Sequence, residues 1–300
     1  MNQSTQILVI GGGPAGSTTA TLLAREGFNV TLMEREVFPR YHIGESLLPS
    51  CLEILDMVGA RDKVESYGFQ RKGGGYFSWG TDSWVLDFAP LRYSYGFQVV
   101  RSEFDQLLLE HAKSQGVKVF EGTEVRNLSF AGDRPRNATW SRVADGGDSG
   151  EISFDYLVDA SGRAGLIATH YLKNRRYHNA FQNVAIWGYW TGTRRMSFAP
   201  DGAIANGSIP DGWLWAIPLH DGTMSVGLVL HKTTFEEKRQ QFDSLEQLYL
   251  EAIDSCPLIA DLVKPGKLVS NLKTEQDYSY FAGKLTGPGY FLVGDAACFI

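Results

Sequence analysis

The sequence is poor in cysteine, with three in 300 residues, at Cys51, Cys256 and Cys298. Three widely separated cysteines provide neither a CxxC pair nor a disulfide framework, so we expect a protein of the reducing cytoplasm. Histidine is also sparse, and the six histidines show no HxxxH or HExxH spacing. The sequence therefore predicts no metal site.

Clustered positive charge and long apolar runs are absent as well. The chain has 28 basic and 34 acidic residues, and KNRR at 173–176 is its longest basic cluster. We therefore expect no nucleic-acid partner. No stretch reaches the roughly 18 apolar residues of a membrane span. The apolar start ILVIGGG is too short for a signal peptide. Because the sequence shows neither a membrane span nor a signal peptide, we expect no membrane partner.

Glycine is abundant, and its first cluster follows a short apolar run. The segments QILVI, GGGPAG, STTATLLAREG and FNVTLMER predict a strand, a turn, a helix and a second strand. Gly11, Gly13 and Gly16 form GxGxxG, which serves a tight turn, approach of a pyrophosphate and close packing of helix on strand. Glu34 ends the second strand, where it could accept from a ribose hydroxyl or be a solvated carboxylate. The sequence predicts a dinucleotide site here.

The rest of the chain alternates between helical and strand patterns. Helices are predicted at 45–58, 101–116 and 233–255, with several strands at 182–230 and a polar, exposed hairpin at 132–151. The segment DGWLWAIPLHDG predicts a strand on which Trp213 and Trp215 share one face. Two indoles on one face form an apolar wall, which fits either a core or a functional surface.

Three separated motifs resemble those of flavin-dependent monooxygenases of the aromatic-hydroxylase type. They are GGGPAG with Glu34, VVRSEFDQLLL with Arg101, and GYFLVGDAA with Gly294 and Asp295. Within that family, WLWAIP resembles the WxWxIP signature of flavin-dependent halogenases. RYHIGESLLP at 40–49 looks like the segment that halogenases of phenol and pyrrole rings carry beside the flavin.

The resemblance implies FAD as cofactor and an α/β fold in which a Rossmann-like FAD-binding domain is interwoven with a β-sheet substrate domain. The expected FAD domain comprises 1–67, 101–165 and 270–300, and the substrate domain comprises 68–100 and 166–269. The family continues beyond the GD motif, so we expect a C-terminal region to be missing from this sequence. The expected cofactor-binding residues are Gly11, Gly13, Ala15, Gly16, Glu34, Arg40, Ser46, Arg101, Asp159, Gly294 and Asp295.

The resemblance also implies a catalytic set of Lys72, Trp213 and Trp215. In halogenases, flavin hydroperoxide converts chloride to hypochlorous acid, and the tryptophans disfavour direct oxygen transfer to substrate. Lys72 aligns with the lysine that directs the oxidant, as an acid or as a chloramine, although a solvated charge at a strand end is the alternative. LVDASGR replaces a DG dipeptide of NADPH-binding hydroxylases, which favours reduced FAD supplied by a separate flavin reductase.

The expected reaction is chlorination of a phenolic, tyrosine-like ring in bacterial natural-product biosynthesis, such as antibiotic biosynthesis. The substrate could be bound to a carrier protein or peptide, and a pyrrole remains open. An FAD-dependent aromatic hydroxylase and an isoprenoid-type reductase are the alternative enzymes. A non-catalytic flavin-binding protein is the alternative of another class.

Overall fold

The computed structural model describes residues 3–143 and 147–299. Its α-helices are α1 (Pro14–Arg25), α2 (Ser50–Val58), α3 (Arg61–Tyr67), α4 (Arg101–Ser114), α5 (Lys232–Arg239), α6 (Leu245–Asp254) and α7 (Pro257–Val263). Its strands are β1 (Gln3–Ile10), β2 (Val30–Met33), β3 (Gln70–Lys72), β4 (Gly74–Trp79), β5 (Asp82–Asp87), β6 (Gly96–Gln98), β7 (Lys118–Phe120), β8 (Thr123–Ala131), β9 (Arg134–Arg142), β10 (Ser149–Asp159), β11 (Arg175–Thr191), β12 (Ile204–Ile209), β13 (Gly212–Pro218), β14 (Met224–His231), β15 (Lys267–Leu268), β16 (Lys273–Ala282), β17 (Thr286–Gly287), β18 (Tyr290–Leu292) and β19 (Cys298–Phe299).

The first sheet has a parallel centre, in the order β18-β10-β1-β2-β7. Ile10 at the end of β1 lies opposite both Met33 of β2 and Asp159 of β10. The loops that follow these three strands therefore meet at one edge of the sheet, where ligands bind in open α/β folds. Helices α1 and α4 pack together on one face of this sheet, where Ala20 of α1 and Leu109 of α4 are fully buried.

The second sheet is larger and mostly antiparallel, in the order β19-β16-β11-β14-β13-β12-β4-β5. Successive side chains along its strands point to opposite faces of the sheet. Leu214 and Ala216 of β13 point to the face covered by α6 and α7, whereas Trp215 and Ile217 point to the other face. A two-stranded ribbon of β3 and β6 joins the region of β4 to the start of α4.

The α/β fold with a Rossmann-like domain is confirmed, and the structure adjusts one expected boundary. Strand β16 pairs with β11 over nearly its full length, so Lys273–Ala282 belongs to the larger sheet rather than to the cofactor-binding domain. Among the described residues 270–299, β17 and β18 are the strands that join the first sheet. The polar stretch 132–151 contributes β9 and the start of β10, and residues 144–146 of it lie outside the described part.

Two expected helices are shorter than the patterns predicted. Helix α2 begins at Ser50 rather than Glu45, because Pro49 disfavours helical geometry in the residue before it and the backbone of Glu45 pairs with Val99 instead. The predicted helix 233–255 is interrupted between α5 and α6. Ser244 caps the second part by accepting from the backbone N–H of Gln247.

Candidate functional site

A cavity of about 770 Å³ opens at the carboxyl edge of the first sheet. This volume lies within the roughly 300–1,000 Å³ of typical ligand sites. Eight of the residues predicted to hold the cofactor line it: Gly11, Gly13, Ala15, Glu34, Arg40, Arg101, Gly294 and Asp295. The structure therefore brings residues from four separate sequence segments to one site.

The glycine turn leaves its backbone open to the cavity. Gly11 has a φ of +103°, and a Cβ on it would lie 2.2 Å from the carbonyl oxygen of Ala160. A Cβ on Gly16 would lie 1.9 Å from the carbonyl oxygen of Gly11, so this glycine permits close packing of α1 on β1. A Cβ on Gly13 would meet only the Nη2 atom of Arg40, at 3.3 Å. The space beside Gly13 at the N-terminus of α1 is suited to a phosphate group.

Glu34 lies at the end of β2 and is held by two backbone groups. Its Oε2 atom accepts from the N–H of Gly12 at 2.6 Å, and Oε1 accepts from the N–H of Glu36 at 2.8 Å. The side chain is buried except where it faces the cavity. Each carboxylate oxygen can accept a further hydrogen bond, so Glu34 fits the ribose-binding role.

Two arginines of the cavity share one buried carboxylate. Asp105, fully buried on α4, accepts from Nε and Nη2 of Arg101 at 2.8 and 2.9 Å and from Nη1 of Arg40 at 2.8 Å. Arg101 also donates to the carbonyl oxygen of Ile43 at 2.7 Å. One negative charge thus fixes two guanidinium groups beside Gly13, which leaves net positive charge where a pyrophosphate would bind.

The GD motif reaches the same cavity from the other side. Gly294 has a φ of +58°, and a Cβ on it would approach the Cβ of Ala15 to 2.6 Å, so glycine allows this loop to lie against α1. Burial raises the pKa of Asp295, and the positive charges of His42, Arg101 and Arg163 lower it in part. Asp295 is therefore placed to accept from hydroxyl groups of a bound ligand.

Three predicted cofactor residues do not line the cavity. Gly16 lies beneath it, in the packing role described above. Ser46 lies on the far side of the segment 40–49 and bridges to Gln98. Asp159 is fully buried, and its carboxylate accepts from the N–H groups of Ser161 and Ile167 at 3.1 and 2.7 Å. Its carboxylate therefore shapes the loop after β10.

Sequence patterns did not reveal several residues of the site. Tyr41, His42 and Arg163 line the cavity. They belong to the segments RYHIGESLLP and LVDASGR, but nothing in those segments singled them out as site residues. Asp105 had a usable signal, since it follows Arg101 by one helical turn and such pairs form ion pairs on one face of a helix.

Beyond the cavity, three tryptophans lie on one face of the larger sheet. The ring centroids of Trp213 and Trp215 are 6.0 Å apart, and those of Trp215 and Trp187 are 6.4 Å apart. We call Trp187, Trp213 and Trp215 the indole wall. A Cβ on Gly227 would lie 2.1 Å from the ring of Trp215, so only glycine lets this ring lie flat on the sheet. The wall packs against Ile43, next to the cavity-lining Tyr41 and His42.

Lys72 is buried at the end of β3, with 5% of its surface exposed. Its Nζ lies 5.4 Å from the ring centroid of Phe88, and no carboxylate pairs with it among residues 3–143 and 147–299. Burial lowers its pKa to about 8. The alternative interpretation of Lys72, a solvated charge at a strand end, is therefore wrong. It precedes β4, which lies two strands, or about 10 Å, from the strand of Trp213 and Trp215.

Two negative findings apply to residues 3–143 and 147–299. No group of three or more His, Cys, Asp or Glu side chains there could hold a metal ion. Among the same residues, no helix is long and apolar enough to cross a membrane.

Known proteins match the chain over nearly all of its length. The FAD binding domain family model matches residues 4–298. A tryptophan 2-halogenase of Chondromyces crocatus is 55% identical over 298 residues, 99% of this chain and 57% of the relative. A flavin-dependent halogenase of Armillaria mellea is 46% identical over 319 residues, 99% of this chain and 61% of the relative. The chain thus spans about three fifths of the length of these relatives.

Solved structures give the same result. The structure of CndH, a myxobacterial chondrochloren halogenase, matches with a TM-score of 0.90 and 36% identity, over 99% of this chain and 69% of that one. The glycine turn, the paired arginines and Glu34 fit the pyrophosphate and ribose of FAD, in agreement with the family model. The chain belongs to the FAD-dependent halogenases, a family of flavin-dependent oxidoreductases built on an FAD-binding domain.

Proposed function

We propose that this protein chlorinates an electron-rich aromatic ring, with FAD as cofactor, chloride as co-substrate and a separate flavin reductase as the source of reduced FAD. The observation that supports this most is Lys72, a buried lysine without a carboxylate partner in the described structure. A buried ammonium costs stability, so the presence of an unpaired lysine here favours a chemical role.

Gly13, Arg40 and Arg101 would hold the FAD pyrophosphate, and Glu34 its ribose. Bound in reduced form, FAD would supply with O2 the oxidising equivalents that turn chloride into an electrophilic chlorine species. The indole wall would separate the aromatic substrate from the flavin, so that chlorine rather than oxygen is transferred to the substrate.

Lys72 would direct the chlorine to the ring. With its pKa near 8, Nζ exists at neutral pH as an ammonium in equilibrium with some free amine. The ammonium can donate a hydrogen bond to the chlorinating species, and the amine can accept chlorine as a chloramine. Both roles need a positioned nitrogen.

The choice of ring rests on the resemblance to halogenases of phenol and pyrrole rings. A phenolic, tyrosine-like ring is our first candidate, either free or bound to a carrier protein or peptide in a bacterial natural-product pathway. An indole is the second candidate, favoured by the tryptophan 2-halogenase that is 55% identical to this chain. Both rings are electron-rich enough for electrophilic substitution.

Mass spectrometry of products tests the proposal. The full-length protein is supplied with FAD, a flavin reductase, NADH and chloride, together with a panel of phenols, pyrroles and tryptophan. We expect a monochlorinated product from one class, and none when sulfate replaces chloride. Gly13→Val is the matched control, because its side chain would fill the space beside the helix N-terminus and abolish FAD retention. A hydroxylated product formed equally without chloride would replace the proposal by an aromatic hydroxylase.

A further inference from the structure

Glu45 is a buried carboxyl between the cofactor cavity and the indole wall. Only 3% of its surface is exposed. Its backbone is fixed on both sides, since its carbonyl oxygen accepts from the N–H of Val99 at 2.8 Å and Arg101 binds the carbonyl of Ile43. The preceding Gly44 has a φ of +105°, which allows the chain to turn the side chain inward.

A chain of hydroxyl groups connects Glu45 to the first tryptophan of the wall. The hydroxyl of Tyr189 donates to Oε1 of Glu45 at 2.7 Å, and the hydroxyl of Tyr41 lies 3.0 Å from that of Tyr189. The indole N–H of Trp187 donates to the Tyr41 oxygen at 2.7 Å. Because Tyr189 uses its proton on Glu45, Tyr41 must donate to Tyr189. All three hydrogen bonds therefore run in one direction, towards the carboxyl.

The remaining indole of the buried pair has a separate partner. The indole N–H of Trp215 donates to the hydroxyl of Ser225 at 3.3 Å. The Oε2 atom of Glu45 is buried and has no hydrogen-bond partner within the described ranges. The hydroxyl chain through Tyr189 and Tyr41 is thus what joins the carboxyl to the wall, at Trp187.

A carboxyl at this position is costly. Burial raises its pKa, and the charge of Asp221 adds to this effect, while Arg101 and the hydroxyls of Ser225 and Tyr189 lower it. An aliphatic side chain would fill the same volume without the cost of desolvation. What an aliphatic side chain cannot provide is an acceptor that fixes the two hydroxyls.

We propose that Glu45 is a positioning residue for the indole wall, acting on Trp187 through Tyr189 and Tyr41. Since Tyr41 also lines the cofactor cavity, this network sets where the wall lies relative to the flavin. The consequence for product choice rests on the proposed halogenase function. The position of the indoles does not.

Near-ultraviolet circular dichroism of the full-length protein tests the positioning directly, because indole rings about 6 Å apart couple to one another. We expect Glu45→Ala to change the indole signal. Tyr189→Phe should reproduce much of that change, and Glu45→Gln should restore most of the wild-type signal, because the amide oxygen still accepts from Tyr189. Glu53→Gln, which removes an exposed carboxylate on α2, is the matched control and should leave the signal unchanged.

Turnover gives the second measurement. Glu45→Ala should raise the ratio of hydrogen peroxide to chlorinated product roughly fivefold, the effect of one lost hydrogen bond, and Glu45→Gln should raise it less. A folded Glu45→Ala protein with wild-type dichroism would overturn the inference, as would a Glu45→Gln protein that behaves like Glu45→Ala. If the wild type makes no chlorinated product, the proposed function fails, and the dichroism still decides the role of Glu45.

Discussion

The two faces of the larger sheet are built from the same strands but differ in composition. On the face covered by α6 and α7, Leu214, Val226 and Leu228 are aliphatic and almost fully buried. On the opposite face, Trp187 and Trp215 carry indole N–H groups that donate to Tyr41 and Ser225.

The difference shows how one sheet serves two purposes. Aliphatic side chains stabilise the folded protein by filling the space between sheet and helices. They tolerate repacking, because they have no polar atoms that need hydrogen-bond partners. The face with the indole wall instead depends on particular partners, namely Ser225 beneath Trp215 and Tyr41 beside Trp187. We infer that the first face holds the fold together and that the second is arranged for chemistry. Substitutions on the two faces should therefore have different consequences.

The largest effect on stability is expected on the helix-covered face. Leu214→Ala should lower the free energy of unfolding by about 2–5 kcal/mol, because it leaves a cavity in a closed core. Trp213→Phe on the other face should cost less than about 1.5 kcal/mol, since most of the aromatic volume remains. Urea denaturation measures both. Equal losses would contradict the distinction between the faces.

The next effect concerns activity alone. Lys72→Ala should reduce chlorinated product by at least about 10²-fold, the low end of what one acid–base group contributes. FAD affinity and oxygen consumption should remain close to wild type, because Lys72 does not line the cofactor cavity. Lys72→Arg should not restore activity, since a guanidinium is a weaker acid and a poor nucleophile. A Lys72→Ala protein that chlorinates at the wild-type rate would exclude the proposed role.

Lys72 should also make stability depend on pH. Because its pKa in the folded protein is about 8, below the ordinary 10.5, burial of the ammonium costs stability below pH 8. That cost disappears as the pH rises from 8 to 10.5. We expect Lys72→Met to be more stable than wild type by roughly 1–3 kcal/mol at pH 7, with the difference shrinking above pH 8. The exposed Lys284→Met, measured by the same urea titrations, should show no such trend.

Replacement of the tryptophans is expected to have the smallest effect on stability. Its effect on the identity of the product should be the most specific. Replacement of Trp213 and Trp215 together by Phe should leave the protein folded but let substrate or water reach the flavin. Hydroxylated product, or more peroxide per NADH consumed, would be measured by mass spectrometry and a peroxide assay. Unchanged coupling would mean that these two side chains serve as core only.

Local sequence was sufficient for features that depend on neighbouring residues. The glycine turn and its flanking strand and helix were predictable, because GxGxxG is a backbone requirement that only glycine meets. The alternation of β13 was equally readable from its period of two. Eight of the residues predicted to hold the cofactor line the cavity, and Gly11 and Gly13 among them follow from backbone constraints that the sequence shows.

Long-range contacts decided the rest. The pattern at 233–255 reads as one helix, whereas the structure has α5 and α6 with a break between them and Ser244 as the cap of α6. Lys72 and Glu45 are charged residues in segments that give no local sign of burial. Their environment is set by Phe88 in one case and Tyr189 in the other, which lie far away in sequence.

The sequence by itself therefore determined the parallel FAD-binding unit, the strand that carries two indoles and the residue types available for chemistry. Only the tertiary structure decided that Trp187 joins those indoles, that Asp105 holds two arginines at the cavity and that Glu45 lies behind the wall. The physical reason is that turns and periodic patterns depend on residues that are close in sequence. Burial, by contrast, depends on which distant segments the fold brings together.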